Sequence, residues 1–264
     1  MASFITDGVQ IAYDDITPAG GADRTIVLIH GFASNRLEGW RRTGWYAAFE
    51  RRRTRVVALD QRGHGESQKL YEPQAYAREQ LVADVLNLMD HLSIDRADIF
   101  GYSMGARTAL ELAIAQPDRV SHLILGGVGA KLLDKAPDVA GEPMADAMLA
   151  DDPSSIGQPM LKSFRQFADE QGEDRKALAA VTRVKNMPFN PDAMAELTMA
   201  VLVVAGQGDT GAGEPEGLSQ IFPHGRAATI PGCDHFSAIP HALTKAAVFD
   251  FLDGVMDDDF PPFE

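Results

Sequence analysis

Three side chains in this sequence have the types and order needed for nucleophilic acyl chemistry. Ser103 stands in Gly101-Tyr102-Ser103-Met104-Gly105, directly after the strand-like run Ala97-Asp98-Ile99-Phe100 and directly before an Ala- and Leu-rich stretch. A nucleophile there must sit on a very tight turn, and small flanking residues let the backbone pass closely. Such a turn lifts the hydroxyl away from the sheet and aims the N-terminus of the next helix at it. A serine hydroxyl is a poor nucleophile until a base takes its proton, and the base needs a carboxylate to hold its tautomer. The plain alternative is a glycine-rich turn with a helix-capping serine.

Seven histidines compete for the role of base. His235 follows Ile230-Pro231-Gly232-Cys233-Asp234, immediately after the last strand-like run and before the last helical one, so it projects from the same sheet end as Ser103. His30 belongs to the turn after an early strand and supports its backbone, and His64 lies in a Gly-rich loop. His91, His122, His224 and His241 fit a helix end, a strand start, a loop and the final helix. The carboxylate should leave a strand at its C-terminal end, where open parallel sheets place their sites. Asp209 does so, following Val201 to Ala205 through Gly206-Gln207-Gly208. Asp234 adjoins His235, but neighbours in an extended loop point apart, and Gly126-Gly127-Val128-Gly129 offers no acid. The order is therefore Ser103, Asp209, His235. A tetrahedral acyl intermediate also needs donors for its oxyanion. The Met104 N–H at a helix start is one, and the turn His30-Gly31-Phe32-Ala33 supplies the other through Phe32 N–H.

The elements that must position these groups alternate along the chain. Phe4–Thr6 and Val9–Tyr13 read as a hairpin through Asp7-Gly8, since glycine tolerates positive φ. Thr25–Ile29, Arg55–Leu59, Ala97–Phe100, Val120–Leu125 and Val201–Ala205 are apolar runs rich in β-branched residues, with Ala227–Ile230 a weaker sixth. Runs of this kind fit strands buried on both faces. Between them, helical periodicity marks Tyr76–Leu92, Met104–Ala115 before Pro117, and the stretch from Ile239 to Leu252. Strands alternating with helices predict a mostly parallel α/β sheet with right-handed crossovers. The alternation breaks between Gly129 and Thr198, where prolines, among them Pro137, interrupt short helical pieces carrying Met160, Phe164, Phe167 and Met187. A loop of that length is improbable in a compact protein. The expected division is a core of residues 1–128 and 199–264 with a small helical cap insertion at 129–198, too thin in apolar content to fold alone.

Composition excludes several functions. The 264 residues carry 24 Lys and Arg against 38 Asp and Glu, a formal charge of -14. That balance disfavours binding to nucleic acid or to anionic lipid. One cysteine rules out an internal disulfide and a multi-thiolate zinc site. No His/Cys/carboxylate grouping has a metal-ligand spacing, so neither metal nor other cofactor is expected. The N-terminus lacks the pattern of a signal peptide and no apolar run reaches about 20 residues, which gives a cytoplasmic expectation. The end is acidic, with Asp257, Asp258, Asp259 and Glu264, and is expected to be solvated and frayed.

The whole set of motifs resembles the α/β-hydrolase family over almost the full chain. The matching residues are His30-Gly31-Phe32, Asp60-Gln61-Arg62-Gly63-His64-Gly65-Glu66-Ser67, Gly101 to Gly105, Gly206-Gln207-Gly208-Asp209 and Gly232-Cys233-Asp234-His235. The resemblance implies an eight-stranded, mostly parallel sheet flanked by helices, with a cap after the sixth strand. It also implies Ser103 as nucleophile, Asp209 as acid, His235 as base, and Phe32 and Met104 as oxyanion donors. Asp60 to Ser67 resembles a structural loop of the family, and Arg62 is placed to pair with a carboxylate there. Relatives that open epoxides or displace halide use an aspartate nucleophile, which position 103 lacks. The glycines carry no P-loop lysine, which removes an ATPase reading. Acyl chemistry remains: cleavage of a small or medium carboxylic ester, with lactone, thioester or carbon–carbon bond hydrolysis as alternatives for the same triad. A ligand-binding protein with an idle triad is the competing class. The Met and Phe residues of the insertion suggest an adaptable apolar roof. The net charge weighs against strongly anionic substrates unless a local arginine reverses it.

Overall fold

Neighbouring residues in the central strands enter opposite cores. Along Arg24–Ile29, Ile26 and Leu28 face one side of the sheet, Val27 and Ile29 face the other, and all four are fully buried. That is the pattern of a strand covered on both faces. The computed structural model describes residues 2–134, 141–185 and 188–256. Pro137, Met187 and the acidic residues 257–264 singled out in the sequence lie outside the described residues.

The strands are β1 (Ala2–Thr6), β2 (Val9–Ile16), β3 (Arg24–Ile29), β4 (Thr54–Leu59), β5 (Ala97–Tyr102), β6 (Val120–Gly126), β7 (Ala200–Gly206) and β8 (Gly225–Ile230). They form one eight-stranded sheet in the order β1-β2-β4-β3-β5-β6-β7-β8. The pairs β1–β2 and β2–β4 are antiparallel and the remaining pairs parallel. Asp7 and Gly8 close the first hairpin with φ of 47° and 78°, the pair of positive angles that a two-residue type I′ turn requires.

The helices are α1 (Trp45–Glu50), α2 (Arg78–His91), α3 (Met104–Ala115), α4 (Glu142–Leu149), α5 (Pro159–Gln171), α6 (Arg175–Thr182), α7 (Pro191–Ala195), α8 (Pro215–Ser219) and α9 (Ala242–Leu252). Apolar residues of α2, α3 and α8 cover one sheet face, and those of α1 and α9 the other. The expected helix at 104–115 is found with those bounds. The one expected from Tyr76 starts at Arg78, because Tyr76 belongs to a preceding 3₁₀ turn, and Ile239 lies just ahead of α9. The sequence reading assigned no element to residues 37–50. There a π-helical turn, Leu37–Arg41, and α1 bring Trp40 and Trp45 edge-on to Phe100, at ring distances of 4.8 and 5.1 Å.

Between β6 and β7 the chain leaves the sheet and builds α4 to α7. Ala145, Met148, Ala168, Leu178 and Ala179 form a small third core around Ala33, a residue of the turn after β3. Buried Arg165 ties α5 to α4 by donating to Ala147 O (3.1 Å) and Ala150 O (2.7 Å). Buried Glu173 reaches the other way: it accepts from Asn35 Nδ2 (3.0 Å) and from the Gly65 amide (2.9 Å).

The loop from Asp60 to Ser67 is braced by charge. Arg62 makes a two-pronged pair with Asp84 of α2, both contacts 2.7 Å, so the arginine anticipated to hold this loop does so. Arg36 is bonded to Asp60 and Glu66 and approaches Asp14 at 3.3 Å. Two buried histidines lie within the same layer. The His30 Nε2 accepts the Gln61 amide (2.9 Å), which leaves Nδ1–H to donate to Gly31 O (2.8 Å). His64 contacts Arg62 O through Nδ1 (3.1 Å), and its Nε2 has no partner among the described residues. Burial holds the His64 pKa down at about 4 and that of His30 well below the ordinary 6.5.

Between pH about 6.5 and about 4 the unfolded chain therefore binds protons that these two rings refuse in the folded state. Stability should fall as pH drops through that window. Asp60, Asp84 and Glu173, whose pKa values burial raises, act with the opposite sign as they take up protons. Urea midpoints measured across the window should decline, and the decline should be shallower in His64→Gln. An identical slope in that variant would remove His64 from the explanation.

Candidate active site

Where β5 gives way to α3 the backbone is crowded on every side. A Cβ on Gly101 would stand 2.2 Å from Gly105 O, and one on Gly105 would stand 2.0 Å from Ile29 O, so neither position admits a side chain. Ser103, held between them, has φ 56° and ψ -111°, a left-handed conformation that costs a non-glycine residue on the order of 1–3 kcal/mol. Its amide donates to Gly126 O of β6 at 2.7 Å, which fixes the turn against the neighbouring strand. The side chain is left pointing beyond the C-terminal edge of the sheet.

The loops after β7 and β8 meet it there. His235 Nε2 lies 2.9 Å from Ser103 Oγ, and His235 Nδ1 lies 2.6 Å from Asp209 Oδ2. Asp209 is buried, and its other oxygen accepts the Gly211 and Ala212 amides, each at 3.1 Å, so the carboxylate is oriented from behind. Tyr102 donates its hydroxyl to His235 O at 2.8 Å and steadies the histidine's backbone. Asp234 turns away: Oδ1 accepts from the Phe236 amide (3.1 Å), the Ser237 amide (2.8 Å) and the Ser237 hydroxyl (2.6 Å). Those bonds, led by the Ser237 hydroxyl, lower its pKa. The structure thus brings Ser103, His235 and Asp209 into one hydrogen-bonded line and leaves Asp234 to shape its loop.

The turn after β3 lies against the serine. A Cβ on Gly31 would come within 3.3 Å of Ser103 Cβ, and Ala33 takes φ 59° with its side chain fully buried in the third core. Among the described residues neither the Phe32 nor the Met104 amide N–H has a protein acceptor. The Phe32 ring stands edge-on to Phe164 of α5 at 5.9 Å, and Phe164 is 5.8 Å from the His235 ring.

Two recesses open at Ser103. One, of about 350 Å³, is bordered by Arg107, Leu132, Met160, Ser163 and Thr210. The other, of about 130 Å³, is bordered by Phe32, Thr43, Tyr102, Phe167 and Ile239. The sequence reading missed Arg107, one turn beyond the nucleophile, although its spacing of four from Ser103 is the available signal. It also missed Tyr102 as a support of His235 and Glu173 as a link between α5–α6 and the core. No group of three or more His, Cys, Asp and Glu side chains among the described residues is suited to a metal ion. Among them, too, no helix is long and apolar enough to cross a membrane.

A family model described as the alpha/beta hydrolase fold matches residues 24–178, more than half of the chain. The chain belongs to this family. The enol-lactonase from Burkholderia xenovorans LB400 superimposes with a TM-score of 0.78 at 25% identity, covering 96% of this chain and 100% of that one. A 2-hydroxy-6-oxononadienedioate/2-hydroxy-6-oxononatrienedioate hydrolase of Cupriavidus pinatubonensis (strain JMP 134 / LMG 1197) is 27% identical over 263 residues, 88% of each protein. The dihydrolipoyllysine-residue acetyltransferase component of an acetoin cleaving system from Pseudomonas putida is 32% identical over 183 residues, 69% of this chain and 46% of that protein. Over several curated relatives, this last included, the chain spans less than half of the relative's own length. The family model and the enol-lactonase superposition agree on the α/β-hydrolase fold of the chain.

The division of labour between the two aspartates is testable. Asp209→Asn is expected to keep the fold and lower kcat by roughly 10³–10⁴, because His235 loses the partner that fixes its tautomer. Asp234→Asn, whose amide oxygen still accepts the loop amides, should stay within about threefold of the parent. Assays on one activated ester decide it, and the reverse ranking would move the acid to Asp234.

Proposed function

We propose that this α/β-hydrolase cleaves a small or medium carboxylic ester through an acyl-enzyme on Ser103. The observation that carries the reading is the continuous line Ser103 Oγ to His235 Nε2 (2.9 Å) and His235 Nδ1 to Asp209 (2.6 Å), on a strained turn that exposes the hydroxyl. In this reading Ser103 Oγ attacks the carbonyl carbon while His235 Nε2 takes its proton. Asp209 stabilises the imidazolium, and the Phe32 and Met104 amides donate to the oxyanion. Collapse of the intermediate expels the alcohol, which receives that proton from His235. Water then attacks the acyl carbonyl, His235 takes the water's proton, and breakage of the ester to Ser103 returns a proton to Oγ and frees the acid.

The space around Ser103 supports a modest substrate. Recesses of about 350 and 130 Å³ suit a small acyl group and its alcohol rather than a polymer. We take residues 129–198 as a cap over this cleft, and Phe164, close to both Phe32 and His235, as part of its roof. No nucleic acid, membrane or cofactor enters the proposal, and the cytoplasm remains the proposed location.

Lactone or carbon–carbon bond hydrolysis is the second reading, favoured by the names of the Burkholderia and Cupriavidus relatives. The deciding measurement is kcat/KM over unactivated alkyl esters, lactones, acyl thioesters and vinylogous diketones, with Ser103→Ala as the blank. The ester reading expects the best ester to lead and the blank to be inert. A lactone or diketone ahead by about a hundredfold, ~2.7 kcal/mol of transition-state binding, would replace it.

A further inference from the structure

In a chain with 38 acidic and 24 basic residues, an arginine close to the protein body readily finds a carboxylate. Arg36, Arg62, Arg78 and Arg165 pair with Asp60, Asp84, Glu111 and Asp169. Arg107 does not. Among the described residues its guanidinium has neither a carboxylate within salt-bridge distance nor a hydrogen-bond partner. It borders the larger recess at Ser103, one helical turn along α3, where its own amide bonds back to Ser103 O at 3.3 Å.

The acids that share its recess or its helix face are engaged elsewhere. Asp209 is held by His235 and by two amides, Asp234 by Ser237 and Phe236, and Glu111, the next turn of α3, by Arg78 at 3.3 Å. Arg107 is exposed, yet the protein around its guanidinium and the nearby Arg78 cation still lower its pKa. An anion arriving in the recess would relieve both effects. An arginine with free donors is suited to bind a carboxylate through two parallel hydrogen bonds.

We propose that Arg107 binds a carboxylate of the substrate, so that the compounds turned over are acids as well as esters: monoesters or lactones of short dicarboxylic acids. Ser103 and Arg107, one helical turn apart on α3 and bordering the same recess, would hold the two ends, which calls for a short acid. The scissile carbonyl then sits at Ser103 with the free carboxylate in the larger recess. This specificity rests on the acyl-enzyme reading for its use in turnover, but the binding itself does not require turnover.

Calorimetric titration of Ser103→Ala with monomethyl glutarate and with dimethyl glutarate isolates it. The half-acid is expected to bind about tenfold or more tightly than the diester. Adding Arg107→Gln should abolish that preference, and Arg107→Lys, which keeps the charge but not the planar fork, should retain part of it. Equal binding of the two ligands, failure of the half-acid to bind, or a preference that survives Arg107→Gln would each overturn the proposal. Half-acid binding through Arg107 in a protein that hydrolyses no acyl compound would instead overturn the hydrolytic reading alone.

Discussion

The start of α3 runs so close to the end of β3 that nothing larger than hydrogen fits at Gly105, whose would-be Cβ falls 2.0 Å from Ile29 O and 2.5 Å from His30 O. Because the helix cannot retreat, the chain must reverse from strand to helix within one residue, and Ser103 takes up the strain at φ 56°. That strain is small beside the apolar burial on both faces of the sheet, where β3, β5, β6 and β7 carry fully buried side chains. The same approach sets the Gly31–Ala33 turn beside the serine and lifts the hydroxyl to where the β7 and β8 loops end. His235 and Asp209 can reach it only because these parallel strands finish at the same edge.

A second constraint links α4, α5 and α6 to the turn after β3. Ala33 is the floor of the core shared by α4, α5 and α6, and Phe32, the next residue back, packs on Phe164 of α5. Glu173 bonds to Asn35 and Gly65 on the two loops flanking that turn. This core is small, and it draws Ala33 and Phe32 from the turn after β3.

Much of this was legible in the chain because a few residues admit one solution. Pro117 ends α3 where expected, the β-branched runs fix the central strands, and Gly206-Gln207-Gly208 carries Asp209 off a strand end while Asp234 follows a tight turn. Elements without such punctuation were not legible. Residues 37–50 form a π-helical turn and the six-residue α1, too short to display a period, and their aromatic residues are placed by Phe100 from a distant strand. The prolines of the insertion signalled breaks without fixing which short helices form, since the apolar residues there pack on Ala33 from far along the chain. Glu173 and Arg107 read as ordinary surface charges in sequence. Only the fold shows that one is buried against two loops and that the other borders the recess at the nucleophile with no carboxylate of its own among the described residues.

The proposed mechanism turns on acylation of Ser103 with His235 and Asp209 assisting. Rapid mixing with a slowly deacylating p-nitrophenyl ester, followed by intact-protein and peptide mass spectrometry, observes that species directly. A burst of p-nitrophenol close to one equivalent per chain is expected, with one acyl group on the peptide containing Ser103. A native, folded protein that shows no burst, or that carries the acyl group on another residue, would contradict it.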